Sequence, residues 1–171
     1  MENILNNYDF NKNNDLIANA EKNIKTIIDL SLSKYNPSEL NQTSLIGKTK
    51  TRKRIAVLGQ VDSDASIRFG NPDNWTSEEL IKLAKYENPA ADVIYRPHPE
   101  IHKGFQKSKF KKRRIEKFAS IANPEEQFAH FLSTVDHVYT ITSLTGFEAL
   151  IRGVKVTCVG IPFYSGWGLT D

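Results

Sequence analysis

The chain has 171 residues, 39% of them hydrophobic and 25% charged, which is the composition of one ordinary folded domain and excludes a wholly disordered chain. Lys and Arg number 23 against 20 Asp and Glu, a formal net charge of +3, too small to mark a nucleic-acid binder without a concentrated basic face. The single cysteine, Cys158, excludes an internal disulfide and a cysteine-built zinc site and is expected as a buried thiol in a reducing compartment.

Residues 1–14 carry six Asn and few large apolar groups and are expected as a disordered lead-in without the apolar core of a signal peptide. No run approaches the roughly 18 to 20 consecutive apolar residues of a membrane span, so the expected location is cytoplasmic. From Asp15, read as an N-cap, Leu16, Ile17, Ala20, Ile24, Ile27, Ile28 and Leu32 recur at spacings of three and four, predicting an amphipathic helix that needs a partner surface. Pro37 disfavours helical geometry at Asn36 and ends this helix near residues 33–37. Residues 37–54 then read as a polar linker, so that 15–52 form a connector with a domain boundary near residue 50.

Beyond that boundary strand-like and helix-like runs alternate. Residues 54–59 predict a buried strand ending in Gly59; 76–86 a helix capped by Thr76 or Ser77; 92–96 a second strand stopped by Pro97. Residues 124–132 predict a helix with proline in its first turn, 137–141 a third strand, 145–152 a helix closed by Gly153, and 154–159 a fourth strand. Four strands with helices between them predict a Rossmann-like α/β domain with a parallel sheet over residues 53–171.

Ligands of such sheets bind at the carboxyl ends of the strands, and those ends are polar here. The loop after the first strand, residues 59–67, holds Gln60, Asp62, Asp64 and Ser66; its acids serve either as turn and capping groups or as catalysts. After the second strand come Arg96-Pro97-His98-Pro99, where the flanking prolines either make a rigid turn or aim one imidazole at a phosphate. After the third, Ser143-Leu144-Thr145-Gly146 either caps a helix or binds phosphate oxygens with hydroxyl and N–H groups. Glu148 either favours the helix macrodipole or accepts from a ribose diol. Packing alone does not explain polar or conformationally special residues at every strand end. Residues 103–117 hold eight Lys/Arg against one acid, Glu116, read as a solvated face or as a surface for anionic headgroups. The aromatic, Gly-rich stretch 162–171 is too apolar for a free tail and is expected to pack on a ligand or a neighbouring domain.

The segments Gly59-Gln60-Val61-Asp62-Ser63-Asp64-Ala65-Ser66-Ile67, Tyr95-Arg96-Pro97-His98-Pro99, and Thr142 through Leu150 and on through Pro162-Phe163-Tyr164-Ser165-Gly166-Trp167-Gly168-Leu169-Thr170 together resemble, in order, the capsule polysaccharide biosynthesis family typified by KpsC. The resemblance spans residues 53–171, and the stretch at Ser33-Lys34-Tyr35-Asn36 is similar to that family's connector. It implies one half of a GT-B glycosyltransferase, the C-terminal nucleotide-binding domain, truncated at its C-terminus and of doubtful activity when alone. The implied reaction is retaining β-Kdo transfer from CMP-β-Kdo to a (lyso)phosphatidylglycerol-linked Kdo acceptor, in capsule linker synthesis at the inner membrane. Carried onto this chain, the family pattern has His98 holding the CMP phosphate, Ser143, Thr145 and Gly146 its oxygens, and Glu148 the ribose or leaving nucleotide. Asp64, with Asp62 as second choice, is the nucleophile, supported by Gln60, Ser66 and Arg96. No metal or other cofactor is implied. The implied partners are the CMP-sugar, the glycolipid acceptor, the remaining transferase domains and other capsule assembly proteins, with no nucleic acid. The competing readings are a catalytically incomplete nucleotide-sugar-binding fragment and a sialyltransferase-like GT-B enzyme using another CMP-sugar.

Overall fold

The apolar run at residues 54–58 forms the middle strand of a five-stranded, all-parallel sheet in the computed structural model, which describes residues 2–34, 50–103 and 112–171. Most of the expected linker, up to residue 49, and residues 104–111 of the basic run lie outside the described residues. In chain order the elements are α1 (Glu2–Asn7), a 3-10 turn (Phe10–Lys12), α2 (Asn14–Asp29), β1 (Arg54–Leu58), α3 (Ala65–Gly70), α4 (Ser77–Glu87), β2 (Asp92–Arg96), α5 (Pro99–His102), α6 (Lys112–Ile115), β3 (Ser120–Ile121), α7 (Phe128–Leu132), β4 (His137–Thr140), α8 (Leu144–Leu150) and β5 (Lys155–Cys158). The strand order is β3-β2-β1-β4-β5, with Ile55 opposite Val93 on one side and His137 on the other. This is the Rossmann-like α/β class that the alternation of elements predicts.

Every residue of β1 is buried because helices cover both faces of the sheet, and the period-two alternation sends neighbouring side chains into two separate cores. Ile55, Val57, Val93, Tyr95 and Tyr139 pack with Leu80, Ile81 and Ala84 of α4 and Ile115 of α6. Ala56, Leu58, Ile94, Val138 and Val156 pack with Phe128, Phe131 and Leu132 of α7 and Ala149 of α8. From β1 the chain builds outward through β2 to β3, then returns to place β4 on the opposite side of β1. The order therefore reverses between β1 and β4, and a crevice opens at their carboxyl ends.

Several expectations are corrected. The start of the chain is helical over Glu2–Asn7, not a disordered lead-in, and its polar side chains make local bonds: Asp9 accepts from the Asn11 N–H at 3.2 Å, and Asn7 donates to the Asn3 carbonyl at 2.9 Å. The cap of α2 is Asn13, which accepts from the Leu16 N–H at 3.0 Å, not Asp15. That helix ends at Asp29, and Ser31, at φ 52°, turns the chain away. The helix expected from residue 124 begins only at Phe128, because the Pro124 and Glu126 carbonyls accept from the Arg96 guanidinium instead. The fifth strand, β3, has two residues, too few to leave a periodic pattern.

In the described part of the basic run, α6 buries Ile115 against α4, and Arg114 meets Glu78 at 3.2 Å, as a solvated helix face would. No residue of α2 is buried. Among the described residues no helix is long and apolar enough to cross a membrane.

Candidate functional site

The crevice holds a cavity of about 380 Å³. Its floor is set by Gln60, which follows β1 and is buried. The Gln60 side chain accepts from the Thr142 backbone N–H at 2.8 Å and donates to the Thr142 hydroxyl at 2.9 Å. One amide thus satisfies the N–H and the hydroxyl of Thr142 and locks the two strand ends together. Four residues on, Asp64 caps α3, accepting from the Ser66 N–H at 3.2 Å, and both Asp64 and Ser66 line the cavity. Asp62 is exposed in the preceding turn and is not among the lining residues. Asp64 meets the capping reading of this loop, and of the two acids it is the one that lines the cavity.

His98 lines the cavity as the cap of α5, its Nδ1 accepting from the Glu100 N–H at 3.3 Å. That bond leaves the proton of the neutral ring on Nε2. Burial pushes the His98 pKa below its ordinary value; Glu100 opposes this, Lys34 adds to it and Asp64 opposes it. The imidazole is therefore a neutral donor at pH 7.

Arg96, expected as a supporting residue, lines the cavity, its Nη1 is buried without a hydrogen-bond partner among the described residues, and its Nη2 reaches into the protein. Nη2 donates to the Pro124 and Glu126 carbonyls at 2.9 and 2.5 Å, and Cζ lies 5.3 and 5.0 Å from the ring centres of Phe128 and Phe131. Burial lowers its pKa to about 10, with Glu126 opposing, so it stays charged at neutral pH.

On the opposite wall Ser143 caps α8 and its hydroxyl lies 2.6 Å from that of Thr145; both residues line the cavity. The Tyr164 hydroxyl donates to the Ser143 carbonyl and fixes this turn from below. Gly146, expected at the phosphate, instead packs inside: a Cβ there would strike the Tyr164 hydroxyl and meet the Thr140 methyl at 3.0 Å. Glu148 is buried behind the wall and is not among the lining residues. Its Oε1 accepts from the Lys34 N–H at 3.1 Å, and Lys34 does line the cavity. The sequence names Lys34 only within the connector segment Ser33-Lys34-Tyr35-Asn36 and gives it no site role, because no motif spacing links it to the strand ends.

Phe128, Pro162, Phe163 and Tyr164 give the cavity an apolar side, with Phe163 and Tyr164 edge to face at 5.2 Å. Of the aromatic C-terminal stretch, residues 162–164 line the cavity, while Trp167 and Leu169 are exposed. Its end returns to the sheet edge, the Asp171 N–H donating to the Val156 carbonyl at 3.0 Å. Cys158, half-buried, has its thiol pushed up to about 11 by burial and is unreactive at neutral pH. The cavity thus offers hydroxyl and imidazole donors for an anion, a carboxylate near them, and flat apolar surface for a ring.

The family of capsule polysaccharide biosynthesis proteins matches residues 1–171. The chain is 41% identical over 171 residues to the lipopolysaccharide-processing protein LpsZ of Rhizobium meliloti, covering all of this chain and 39% of that protein. It is 36% identical to the capsule polysaccharide modification protein LipA of Neisseria meningitidis serogroup B, covering all of this chain and 24% of that one. Among solved structures it is similar to the beta Kdo 2,4 transferase of Thermosulfurimonas dismutans KpsC, with a TM-score of 0.84 and 34% identity over 99% of this chain and 52% of that one. It is also similar to the beta Kdo 2,7 transferase of the same KpsC, with a TM-score of 0.76 and 36% identity over 99% and 50%. The chain thus spans 24 to 39% of these curated relatives and about half of the solved transferases. A match along the whole chain, together with the order of the strand-end segments, places this chain in the KpsC-type capsule polysaccharide biosynthesis family.

Proposed function

We propose that this chain is the nucleotide-sugar-binding half of a GT-B β-Kdo glycosyltransferase that takes Kdo from CMP-β-Kdo with retention and passes it to a (lyso)phosphatidylglycerol-linked Kdo acceptor at the inner membrane. The observation that carries this reading is the cavity at the switch point of the sheet, where His98, Ser143 and Thr145 line the space that Asp64 also lines. The solved Kdo transferases of the same fold favour Kdo over the sialic-acid class of CMP-sugar. The His98 Nε2–H and the Ser143 and Thr145 hydroxyls donate to the CMP phosphate, a donor set that needs no divalent ion. The Asp64 carboxylate attacks the anomeric carbon as the bond from that carbon to the phosphate oxygen breaks, and the electron pair leaves with CMP. The acceptor hydroxyl then displaces Asp64 from the opposite face, its proton passing to solvent, and two inversions give retention.

Calorimetric titration with CMP tests the phosphate assignment. A charge-assisted hydrogen bond contributes about 1.5–3 kcal/mol, so His98→Ala is expected to weaken CMP binding by about tenfold or more; equal affinity would remove His98 from the phosphate site. The free-state pKa of His98 is low and a bound phosphate raises it, so the protonated ring binds more tightly. The gap between wild type and His98→Ala is therefore expected to widen as pH falls through the bound-state value, and to level off below the free-state value. Comparing the two proteins cancels the phosphate's own titration.

A further inference from the structure

Among the described lining residues only Lys34 comes from the chain before β1. Two contacts made by α8 and the residues just after it bring it there. Glu148, 8% exposed, accepts the Lys34 N–H on Oε1 at 3.1 Å, and Arg152 donates Nη1 to the Glu148 carbonyl at 3.0 Å and Nη2 to the Leu32 carbonyl. The backbone is thus gripped at Leu32 and again at Lys34. The second carboxylate oxygen of Glu148 is buried with no hydrogen-bond partner among the described residues, a desolvation cost that a purely structural clasp could avoid with a neutral acceptor.

The charges around the cavity say what this clasp delivers. Asp64 is negative, and His98 is neutral at pH 7. Two of the lining residues carry a lasting positive charge, Arg96 and Lys34; Nη2 of Arg96 is committed to the two carbonyls, and Lys34 is the one carried by the segment that α8 clasps.

We propose that Lys34 is an anion-binding residue of the cleft that places its ammonium on the ligand's phosphate, with Glu148 and Arg152 as the residues that position it. This rests on the nucleotide-sugar reading of the cavity. The downward push of Lys34 on the His98 pKa agrees with an ammonium held close to the imidazole. Lysine suits the task as a compact, mobile point charge on a long stem.

The test is calorimetric titration of wild type, Lys34→Gln, Lys34→Arg and Glu148→Leu with CMP, cytidine and inorganic pyrophosphate, with melting temperatures recorded for each. Lys34→Gln is expected to weaken CMP and pyrophosphate by about tenfold or more, to leave cytidine unchanged and to flatten the salt dependence, while Lys34→Arg keeps most of the affinity. Glu148→Leu is expected to weaken CMP as Lys34→Gln does, and the double variant to be no weaker than either single one, since both remove the same contact. Additive losses would overturn the positioning role. Wild type that binds CMP with Lys34→Gln binding it equally well overturns the inference and leaves the proposed function standing. Lys34-dependent binding of pyrophosphate without any binding of CMP upholds the inference and overturns the nucleotide reading. Binding of neither probe overturns both.

Discussion

In a protein spanning both halves of the transferase fold, Asp64→Asn is expected to lower Kdo transfer by at least about a thousandfold. The variant keeps the size and shape of the side chain and removes its ability to form a covalent bond to the anomeric carbon. Asp64 also caps α3 through the Ser66 N–H, but Asn caps as well as Asp, so thermal stability should stay within about 0.5 kcal/mol of wild type. CMP affinity is expected to hold or to rise, since a negative charge is removed from a cavity that takes a phosphate. Asp62→Asn is the control: Asp62 is not among the lining residues, and its variant should transfer at the wild-type rate. An active Asp64→Asn beside a dead Asp62→Asn would reverse the two roles, and activity in both would remove covalent catalysis from this loop. Product stereochemistry and mass spectrometry of a trapped glycosyl-protein adduct read the same step independently.

The sheet was legible because burial on both faces leaves continuous apolar runs: Ile55-Ala56-Val57-Leu58 and Val93-Ile94-Tyr95 read as strands with no help from tertiary context. The cavity was legible for a related reason, since a parallel sheet brings all its strand ends to one side and the polar residues follow the strands at once. What failed were boundaries set by partners distant in sequence. Nothing near Pro124 says that Arg96, 28 residues earlier, claims its carbonyl and holds off the helix until Phe128. Gly146 and Glu148 looked like ligand residues by position, and the contacts that decide their roles, Tyr164 against Gly146 and Lys34 on Glu148, are not visible along the chain. The Asn-rich start shows the converse, because asparagine is both a disorder signal in bulk and a good cap at a single position, and Asn13 is the second.

Arg96 could support the site by touching the ligand or by clamping the protein behind it, and Arg96→Ala decides between them. As a ligand residue it would lose CMP affinity on truncation and little stability. As the buried clamp described above, it would lose two charge-assisted hydrogen bonds to the Pro124 and Glu126 carbonyls and its stacking on Phe128 and Phe131. It would also leave those carbonyls short of a donor and open a cavity beside α7. Breaking buried charged contacts and emptying core volume each cost about 3–5 kcal/mol in other proteins, and overlap between the two puts the expected loss at about 3 kcal/mol or more. Arg96→Met fills most of the emptied volume while giving up the carbonyl bonds and the cation–π contacts, so it should lose less, about 1–3 kcal/mol. Urea unfolding midpoints at constant m-value read both variants. The expected order is wild type, then Met, then Ala, with CMP affinity per folded molecule within about twofold throughout if the clamp on the two carbonyls is what the guanidinium does. An unchanged midpoint with CMP binding lost in both variants would make Arg96 a ligand residue.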